Sequence, residues 1–301
     1  MKLFSKNRGQ KTKIQKTYES WKSRGYVGKP KVSFIIQCHN KSEESIKIVD
    51  RLRDYQESEI LILDDGSNWS HSERLINHMN RGNEYVLRFN DLYEVITYSR
   101  AITFSRGEFV VLLQDDDDFD GLEWVARAIQ YFEQYDDLVI LGGRNGVNML
   151  SYDTSEDGKR GPYEMQGEIG QRKNSFKFDL AGTMEVSNEL EQFQFVQTVN
   201  RAPMWLRRQL FLEKLEDIDQ SYAPFHWDDA EICLKANLLG LKVGWYNAKF
   251  DIGALGQGGM RIWNSELHNR QDEVNAKKLY DQYGSRLLEI QAKVDEDNRL
   301  V

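Results

Sequence analysis

The chain has 301 residues, of which 40% are hydrophobic and 29% charged, and its formal net charge is −8. This length and composition suit one large globular domain or two halves that share an interface, and they exclude a low-complexity or disordered chain. Apolar stretches reach only five or six residues, well short of the ~18 that span a membrane, and the two separate cysteines, Cys38 and Cys233, exclude a disulfide framework or zinc finger.

Positive charge is concentrated at the start of the chain. Residues 1–31 contain ten Lys or Arg and one acidic residue, which leaves a net charge of −17 on the remainder. So acidic a body does not match a nucleic-acid-binding protein. The basic leader, residues 1–30, is either a solvated N-terminus or a segment that docks on an anionic membrane surface. Because no apolar signal segment is visible, we expect a cytoplasmic protein, with peripheral contact to the cytoplasmic membrane face as the open alternative.

Short apolar runs alternate with helical patterns in residues 31–148. We predict strands over the runs VSFIIQC (32–38), EILIL (59–63), YVLRF (85–89), EFVVLLQ (108–114) and LVILGG (138–143). Helices are predicted between them, the first with Asn40 as its N-cap and Glu43 closing a capping box. Strands of five to seven residues that alternate with longer helices indicate βαβ units and a mainly parallel sheet.

The alternation stops near residue 145. Residues 149–195 are polar with few apolar runs, and an insert of this length in a compact domain is often functional. Beyond it we predict further elements, namely strands in QFVQTV, APMWL and GLKVGWY, helices over about 208–217 and 228–240, a glycine-rich loop over 253–259 and a helical tail from Gln271. The chain then divides into residues 196–262 and a C-terminal tail, 263–301, which packs on the body or on a second chain.

Two acidic clusters follow predicted strands. Asp64 and Asp65 come after the second strand, and Asp115–Asp118 come after the fourth. Ligands of open parallel sheets bind at the carboxyl ends of the strands. Four consecutive aspartates repel one another unless a cation offsets their charge, and hard divalent ions prefer carboxylate oxygens. The run is therefore a candidate metal site, although Asp118 or Asp120 can also cap the following helix.

A third acidic cluster opens the helix predicted after Trp227. It consists of Asp228, Asp229 and Glu231. Acidic residues in a first helical turn are favoured by the helix dipole alone. A carboxylate in such a place can also serve as a general base. Both interpretations stay open from these residues by themselves.

The order of these clusters resembles the family 2 glycosyltransferases. The resemblance rests on motifs spread over about residues 31–250, which are VSFIIQCHN, the DDGS of Asp64–Ser67, FSRGEFVVLLQDDDD, WLRRQLF, DIDQSYAPFHWDDAEICLK and GLKVGWY. It implies an α/β protein of the GT-A fold, Rossmann-like, with a mainly parallel central sheet flanked by helices, a smaller antiparallel acceptor-side portion and a C-terminal helix. Residues 31–148 would bind the nucleotide-sugar, and residues 196–262 would carry the acceptor and catalytic half.

The resemblance also implies roles for individual residues. Asp229 would be the general base, and Asp116 and Asp118 would bind Mn²⁺ or Mg²⁺, with a second ligand of the family's kind left unassigned. Residues implied in donor binding are Gln37, His39, Asp65, Asp115 and Arg100. Residues proposed for the acceptor or the diphosphate are Trp227, Asp228, Glu231, Gly258 and Arg261.

The implied function is a metal-dependent, inverting transferase of the hexosyltransferase type, as in polysaccharide biosynthesis. It would move a sugar from a nucleotide-sugar, expected to be UDP-linked, to a hydroxyl of a glycan, a lipid-linked or another acceptor. Alternatives are a retaining GT-A transferase, a nucleotidyltransferase, or a catalytically inactive protein that binds a sugar-nucleotide or glycan. The nucleotidyltransferase is disfavoured because Gln37–Ser42 is not a glycine-rich, basic loop.

Overall fold

The computed structural model describes residues 28–144, 146–152, 178–183, 193–201, 203–252, 265–299 and 301. Its strands are β1 (Val32–Cys38), β2 (Ser58–Asp65), β3 (Glu84–Phe89), β4 (Phe109–Gln114), β5 (Asp117–Asp118), β6 (Leu138–Gly142), β7 (Gly146–Tyr152), β8 (Phe178–Thr183), β9 (Phe193–Phe195), β10 (Thr198–Val199), β11 (Met204–Arg207), β12 (Lys242–Tyr246) and β13 (Asp251–Ile252). Its α-helices are α1 (Ser42–Leu52), α2 (Trp69–His78), α3 (Tyr93–Phe104), α4 (Glu123–Gln134), α5 (Arg208–Lys214), α6 (Asp228–Leu238), α7 (Ser265–Tyr283) and α8 (Leu287–Asn298).

An eight-stranded sheet in the order β3-β2-β1-β4-β11-β6-β12-β9 forms the centre of the molecule. Its strands are parallel except β11, which is antiparallel to β4 and β6, and β9, which is antiparallel to β12. The predicted α/β class with a mainly parallel sheet is therefore confirmed. Because β11 runs backwards, Met204 lies opposite Leu112 and Arg207 opposite Phe109. The residues that precede β11 thus lie at the edge where the parallel strands end.

Successive residues of the central strands are buried on opposite faces of the sheet. Phe34 and Ile36 of β1 join a core that includes residues of α1, α4, α7 and α8, whereas Ile35 joins the core that holds α3 and α5. All three are fully buried. A strand covered by helices on both faces needs apolar residues at every position, which explains the continuous apolar runs in the sequence.

Smaller antiparallel pieces accompany the main sheet. Strands β10, β7 and β8 form a three-stranded sheet, and β5 pairs with β13. These pieces match the predicted antiparallel portion. Across the described part of the chain, no helix is long and apolar enough to cross a membrane. The basic leader and most of the 149–195 insert lie outside the described residues.

The C-terminal tail packs on the body of its own chain. Its core residues are Leu279, Leu287, Ile290 and Val294, all nearly fully buried. Helix α7 begins at Ser265, six residues before the predicted start at Gln271. The early start matters because its first turns lie beside the third acidic cluster, as described below.

The predicted cap of the first helix is wrong. Helix α1 begins at Ser42 after Lys41, and no side-chain hydrogen bond caps it. Asn40 instead has a left-handed φ of 56°, and its side-chain oxygen accepts a hydrogen bond from the Asn68 N–H at 2.8 Å. Glu43 forms an ion pair with Arg74 of α2 at 2.7 Å. Both side chains therefore join the β1–α1 connection to α2, so neither is available to close a capping box.

Candidate active site

His39 joins three connections at the carboxyl edge of the sheet. Its backbone N–H donates to the Asp115 carboxylate at 3.1 Å, and its Nδ1 lies 2.8 Å from the Asp65 carbonyl oxygen. Its Nε2 lies 2.9 Å from the Asn40 amide nitrogen, which can only donate. Nδ1 therefore carries the proton and donates to Asp65. This neutral imidazole links the ends of β1, β2 and β4.

Asp65 fixes the start of α3. Its carboxylate is fully buried and accepts backbone N–H groups from Leu92 at 2.9 Å and Tyr93 at 2.7 Å. One turn along the same helix, the Thr97 hydroxyl donates to Gln37 Oε1 at 2.6 Å. Four of the predicted donor-binding residues therefore lie together, namely Gln37, His39, Asp65 and Asp115. The fifth, Arg100, is exposed on α3 and lies outside this hydrogen-bonded group.

The four aspartates after β4 have different surroundings. Asp115 is buried and receives the His39 N–H, and Asp117 is buried and accepts the Gln114 N–H at 2.8 Å. Burial raises the pKa of Asp117 well above its usual value, and the neighbouring Asp116 adds to the effect. Asp118 forms an ion pair with Arg51 of α1. Asp116 is half-buried and, unlike the other three, has neither a hydrogen bond nor an ion pair with another described residue.

The acidic run fits a divalent cation that is completed by substrate. Mg²⁺ and similar ions are often held by one or two carboxylates together with substrate phosphates and water, rather than by a full protein cage. Asp116, with Asp115 beside it, supplies hard oxygen ligands of that kind. The described residues contain no group of three or more His, Cys, Asp or Glu that could hold a metal ion.

The turn before α6 has an unusual backbone. His226 and Trp227 both have left-handed φ angles, 75° and 67°. Such a conformation costs an L-residue other than glycine roughly 1–3 kcal/mol, so surrounding contacts must hold it. The next residue, Asp228, is buried and forms an ion pair with Arg201. Asp229, directly after it, is half-buried, and its carboxylate accepts the Ala230 N–H at 2.8 Å.

Arg201 stands between the two acidic regions. Besides Asp228 it contacts Glu94 of α3 at 3.3 Å, and its guanidinium lies 4.9 Å from the centre of the Tyr98 ring. The Tyr98 hydroxyl donates to the Leu113 carbonyl at the end of β4, at 2.7 Å. Burial raises the pKa of Tyr98 well above its usual value, and Arg201, Glu94, Asp117 and Asp115 all act on it. Aspartates of the run after β4, and the arginine that pairs with the start of α6, therefore both influence the pKa of the Tyr98 hydroxyl.

Sequence reasoning missed Glu94 and Arg201. Burial raises the pKa of Glu94 above its usual value, and the neighbouring Arg201 opposes that change. A buried Asp at the start of α6 needs a cation as its partner, and this requirement could have prompted a search for Arg201. Arg201 is the basic residue immediately before the APMWL strand, but the antiparallel direction of that strand was needed to place it here.

The remaining predicted residues have separate surroundings. Trp227 donates its indole N–H to Asp272 of α7 at 2.8 Å. Glu231 is buried and accepts the Tyr283 hydroxyl of α7 at 2.7 Å, so it is engaged with the C-terminal helix. Gly258 and Arg261, together with the glycine-rich loop, lie outside the described residues.

A histidine pair that sequence reasoning also missed lies beside this turn. His268 follows the final strand of the main sheet, and its Nε2 is 3.0 Å from Nε2 of His226. Burial lowers the pKa of His226 to about 4, while the nearby Asp272 opposes the effect. At neutral pH the His226 ring is therefore uncharged. One of the two rings donates a hydrogen bond to the other.

Known proteins that resemble this chain give first its fold and then its family. The structure is similar to that of GalNAc-T7 with UDP, GalNAc and Mn²⁺, with a TM-score of 0.51, 14% sequence identity, and coverage of 74% of this chain and 43% of that chain. S. aureus TarS 1-349 gives a TM-score of 0.45 at 17% identity, over 72% of this chain and 60% of that one. At 14% identity, the likeness to GalNAc-T7 shows the fold alone, which is that of the GT-A glycosyltransferases.

The family of this chain follows from its amino-acid sequence. The model of glycosyl transferase family 2 matches residues 33–186, about half of the chain. The chain therefore belongs to glycosyl transferase family 2. It spans 43% to 60% of the length of the two structures named above. No curated protein sequence matches it.

Proposed function

We propose that this chain is a metal-dependent, inverting glycosyltransferase, and that it moves a sugar from a UDP-sugar to a hydroxyl of a glycan, lipid-linked or other acceptor. The observation that carries the proposal is the contrast between two neighbouring aspartates. Asp228 is buried in an ion pair with Arg201, whereas Asp229 is half-buried and accepts only a local backbone N–H among the described residues. A base must be free to take a proton, and Asp229 meets that requirement.

The donor is assigned to the edge built around His39. Gln37, His39 and Asp65 would contact the nucleoside, and Asp116 would hold the divalent ion with Asp115 beside it. When bound, such an ion stabilises the negative charge that builds up on the leaving diphosphate. The presence of UDP and Mn²⁺ with GalNAc-T7, which has a similar fold, agrees with this assignment. Since Asp118 is engaged by Arg51, Asp116 is the stronger ligand candidate of the two.

The proposed reaction is one in-line displacement. The acceptor oxygen forms a bond to the anomeric carbon as the bond from that carbon to the diphosphate oxygen breaks, and Asp229 takes the acceptor hydroxyl proton. General-base help of this kind contributes roughly 10²–10⁴-fold to the rate. Residues 149–195 and 196–262 are proposed as the acceptor side, and the basic leader as either a solvated N-terminus or a segment that contacts the cytoplasmic face of a membrane.

The alternatives differ in measurable ways. A retaining transferase would give a product with the anomeric configuration of the donor, so NMR of the product anomeric proton separates it from an inverting enzyme. A protein that only binds sugar-nucleotides would bind a donor without consuming it. The free Asp229 and the engaged Asp228 together favour an active, inverting enzyme.

The test begins with donor binding and hydrolysis across a panel of nucleotide-sugars, with Mn²⁺, with Mg²⁺ or with EDTA. We expect binding of a UDP-sugar that requires metal and is lost in Asp116→Ala. That donor is then used in acceptor screens. A folded protein that binds no donor in the presence of metal would contradict the proposal.

A further inference from the structure

One face of helix α7 is directed at the turn that precedes the proposed base. Asn275 is buried, and the two N–H groups of its Nδ2 are shared among the backbone carbonyls of Tyr222 at 2.9 Å, Phe225 at 2.8 Å and His226 at 3.0 Å. One turn earlier, Asp272 accepts the Trp227 indole N–H at 2.8 Å. Residues three and four positions apart share a helix face, so both contacts come from the same side of α7.

The amide of Asn275 is itself oriented. Gln271 donates from its Nε2 to Asn275 Oδ1 at 3.1 Å, which leaves the NH₂ end of Asn275 for the three carbonyls. From the other direction, the His226 backbone lowers the pKa of the Glu94 carboxyl against the effect of burial. The carbonyl of His226 is therefore held by the oriented Asn275 amide.

The turn needs such contacts because its backbone is unfavourable. His226 and Trp227 are both left-handed, and α6 begins immediately after them. A change in either pair of dihedral angles would rotate the first turn of α6 and move the carboxylate of Asp229. Helix α7 is attached to the body by apolar residues further along, including Leu279. Its attachment therefore does not depend on Asn275.

We propose that Asn275 is a positioning residue for catalysis, assisted by Asp272, and that the first half of α7 aims the Asp229 carboxylate at the acceptor hydroxyl. This inference rests on the proposed function. It assigns to the C-terminal helix a part in the reaction that acts through the turn before α6. A displacement of a catalytic group by about 1 Å can cost ~10²-fold in rate, so the contacts of one amide can matter.

The test uses Asn275→Asp, which keeps the shape of the side chain and removes both N–H donors. The matched control is Asn237→Asp on α6, where another buried asparagine donates to the carbonyls of Gln197 at 2.9 Å and Cys233 at 3.0 Å. Both variants lose donors to backbone carbonyls, so both should lower the melting temperature. Only Asn275→Asp should also lower kcat, by about 10- to 100-fold, with the donor Kd unchanged.

A second variant and a second measurement keep the inference testable if Asn275→Asp folds poorly. Asp272→Ala removes a half-buried acceptor and should lower kcat in the same direction by a smaller factor. Hydrogen exchange of peptides that cover residues 222–230 should become faster in both variants and stay unchanged in Asn237→Asp. This readout needs no substrate, so it remains informative even if the proposed function fails.

The outcomes are distinct. Unchanged exchange in residues 222–230 of Asn275→Asp overturns the inference, and so does faster exchange with an unchanged kcat. Equal losses of kcat in Asn275→Asp and Asn237→Asp would assign the effect to stability and overturn it as well. A wild-type protein that binds no donor overturns the proposed function, and the catalytic role of Asn275 falls with it.

Discussion

Arg201 forms a buried ion pair with Asp228, the immediate neighbour of the residue that we propose as the base. The same guanidinium contacts Glu94, so one cation compensates two carboxylates. This arrangement gives neighbouring aspartates different properties from one short sequence, WDDAE. Asp228 contributes charge balance inside the protein, and Asp229 is the neighbour that we propose acts on substrate.

Exchange of each aspartate for asparagine should separate these two roles. Asp229→Asn is expected to lower the rate of sugar transfer by roughly 10²–10⁴-fold, because the proton acceptor is lost, with little change in donor affinity. Asp228→Asn should instead lower the melting temperature, because Arg201 loses its buried partner. Steady-state kinetics, donor titration and thermal unfolding of both variants are the measurements. Full transfer by Asp229→Asn would contradict the base assignment.

Removal of Arg201 should destabilise the fold. Arg201→Leu leaves the buried Asp228 and the half-buried Glu94 without their cation, and breaking a buried pair typically costs about 3–5 kcal/mol. Chemical denaturation gives the free energy of unfolding directly. The double variant Arg201→Leu with Asp228→Asn should recover part of the loss, since it removes one uncompensated charge. If the double variant is as unstable as the sum of the single changes, the pair is not coupled.

Metal dependence should follow Asp116 more closely than Asp118. Asp116→Asn is expected to abolish the Mn²⁺- or Mg²⁺-dependent part of UDP-sugar binding and to give the affinity that EDTA gives in the wild type. Asp118→Asn should keep metal-dependent binding, because its carboxylate is already engaged by Arg51. Calorimetric titration of donor with and without metal is the measurement. The reverse pattern would place the ion further along the acidic run.

Stability should fall as the solution becomes acidic between about pH 6.5 and pH 4. Burial lowers the pKa of His226 to about 4, against an ordinary value of 6.5. The unfolded chain then binds a proton that the folded chain refuses in this window, which favours unfolding as the pH falls. The contribution is at most about 3 kcal/mol. Urea unfolding at several pH values is the measurement, and His226→Asn, which suits a left-handed residue, should flatten the dependence. An unchanged slope in that variant would assign the effect to another group.

The fold was readable from the sequence because its strands are buried on both faces. Short apolar runs such as VSFIIQC and EFVVLLQ predict buried strands better than they predict helices. The structure has strands at both. The cap at Asn40 failed because that side chain is used across the fold, on the Asn68 N–H. Local patterns favour local contacts, so they miss a residue whose partner comes from another element.

The site was readable only in part for the same reason. Asp65, Asp116 and Asp229 stand in motifs that can be recognised in one dimension. Arg201 lies in no motif, and its importance follows from the direction of β11. Asn275 likewise appears as one polar residue in an amphipathic helix, and only the three-dimensional structure brings it to the carbonyls before α6.

The pairing of β6 with β11 has a consequence for how related proteins can diverge. Gly142 at the end of β6 lies beside Met204 at the start of β11. The chain leaves the sheet after β6, contributes β9 beside β12, and returns next to β6 as β11. Parts of this stretch outside β9 and Arg201 can change in length while these strand pairings stay in place. If this stretch forms the acceptor side, as we propose, we expect acceptor preference to diverge among relatives through these variable parts, while β9 and Arg201 are kept.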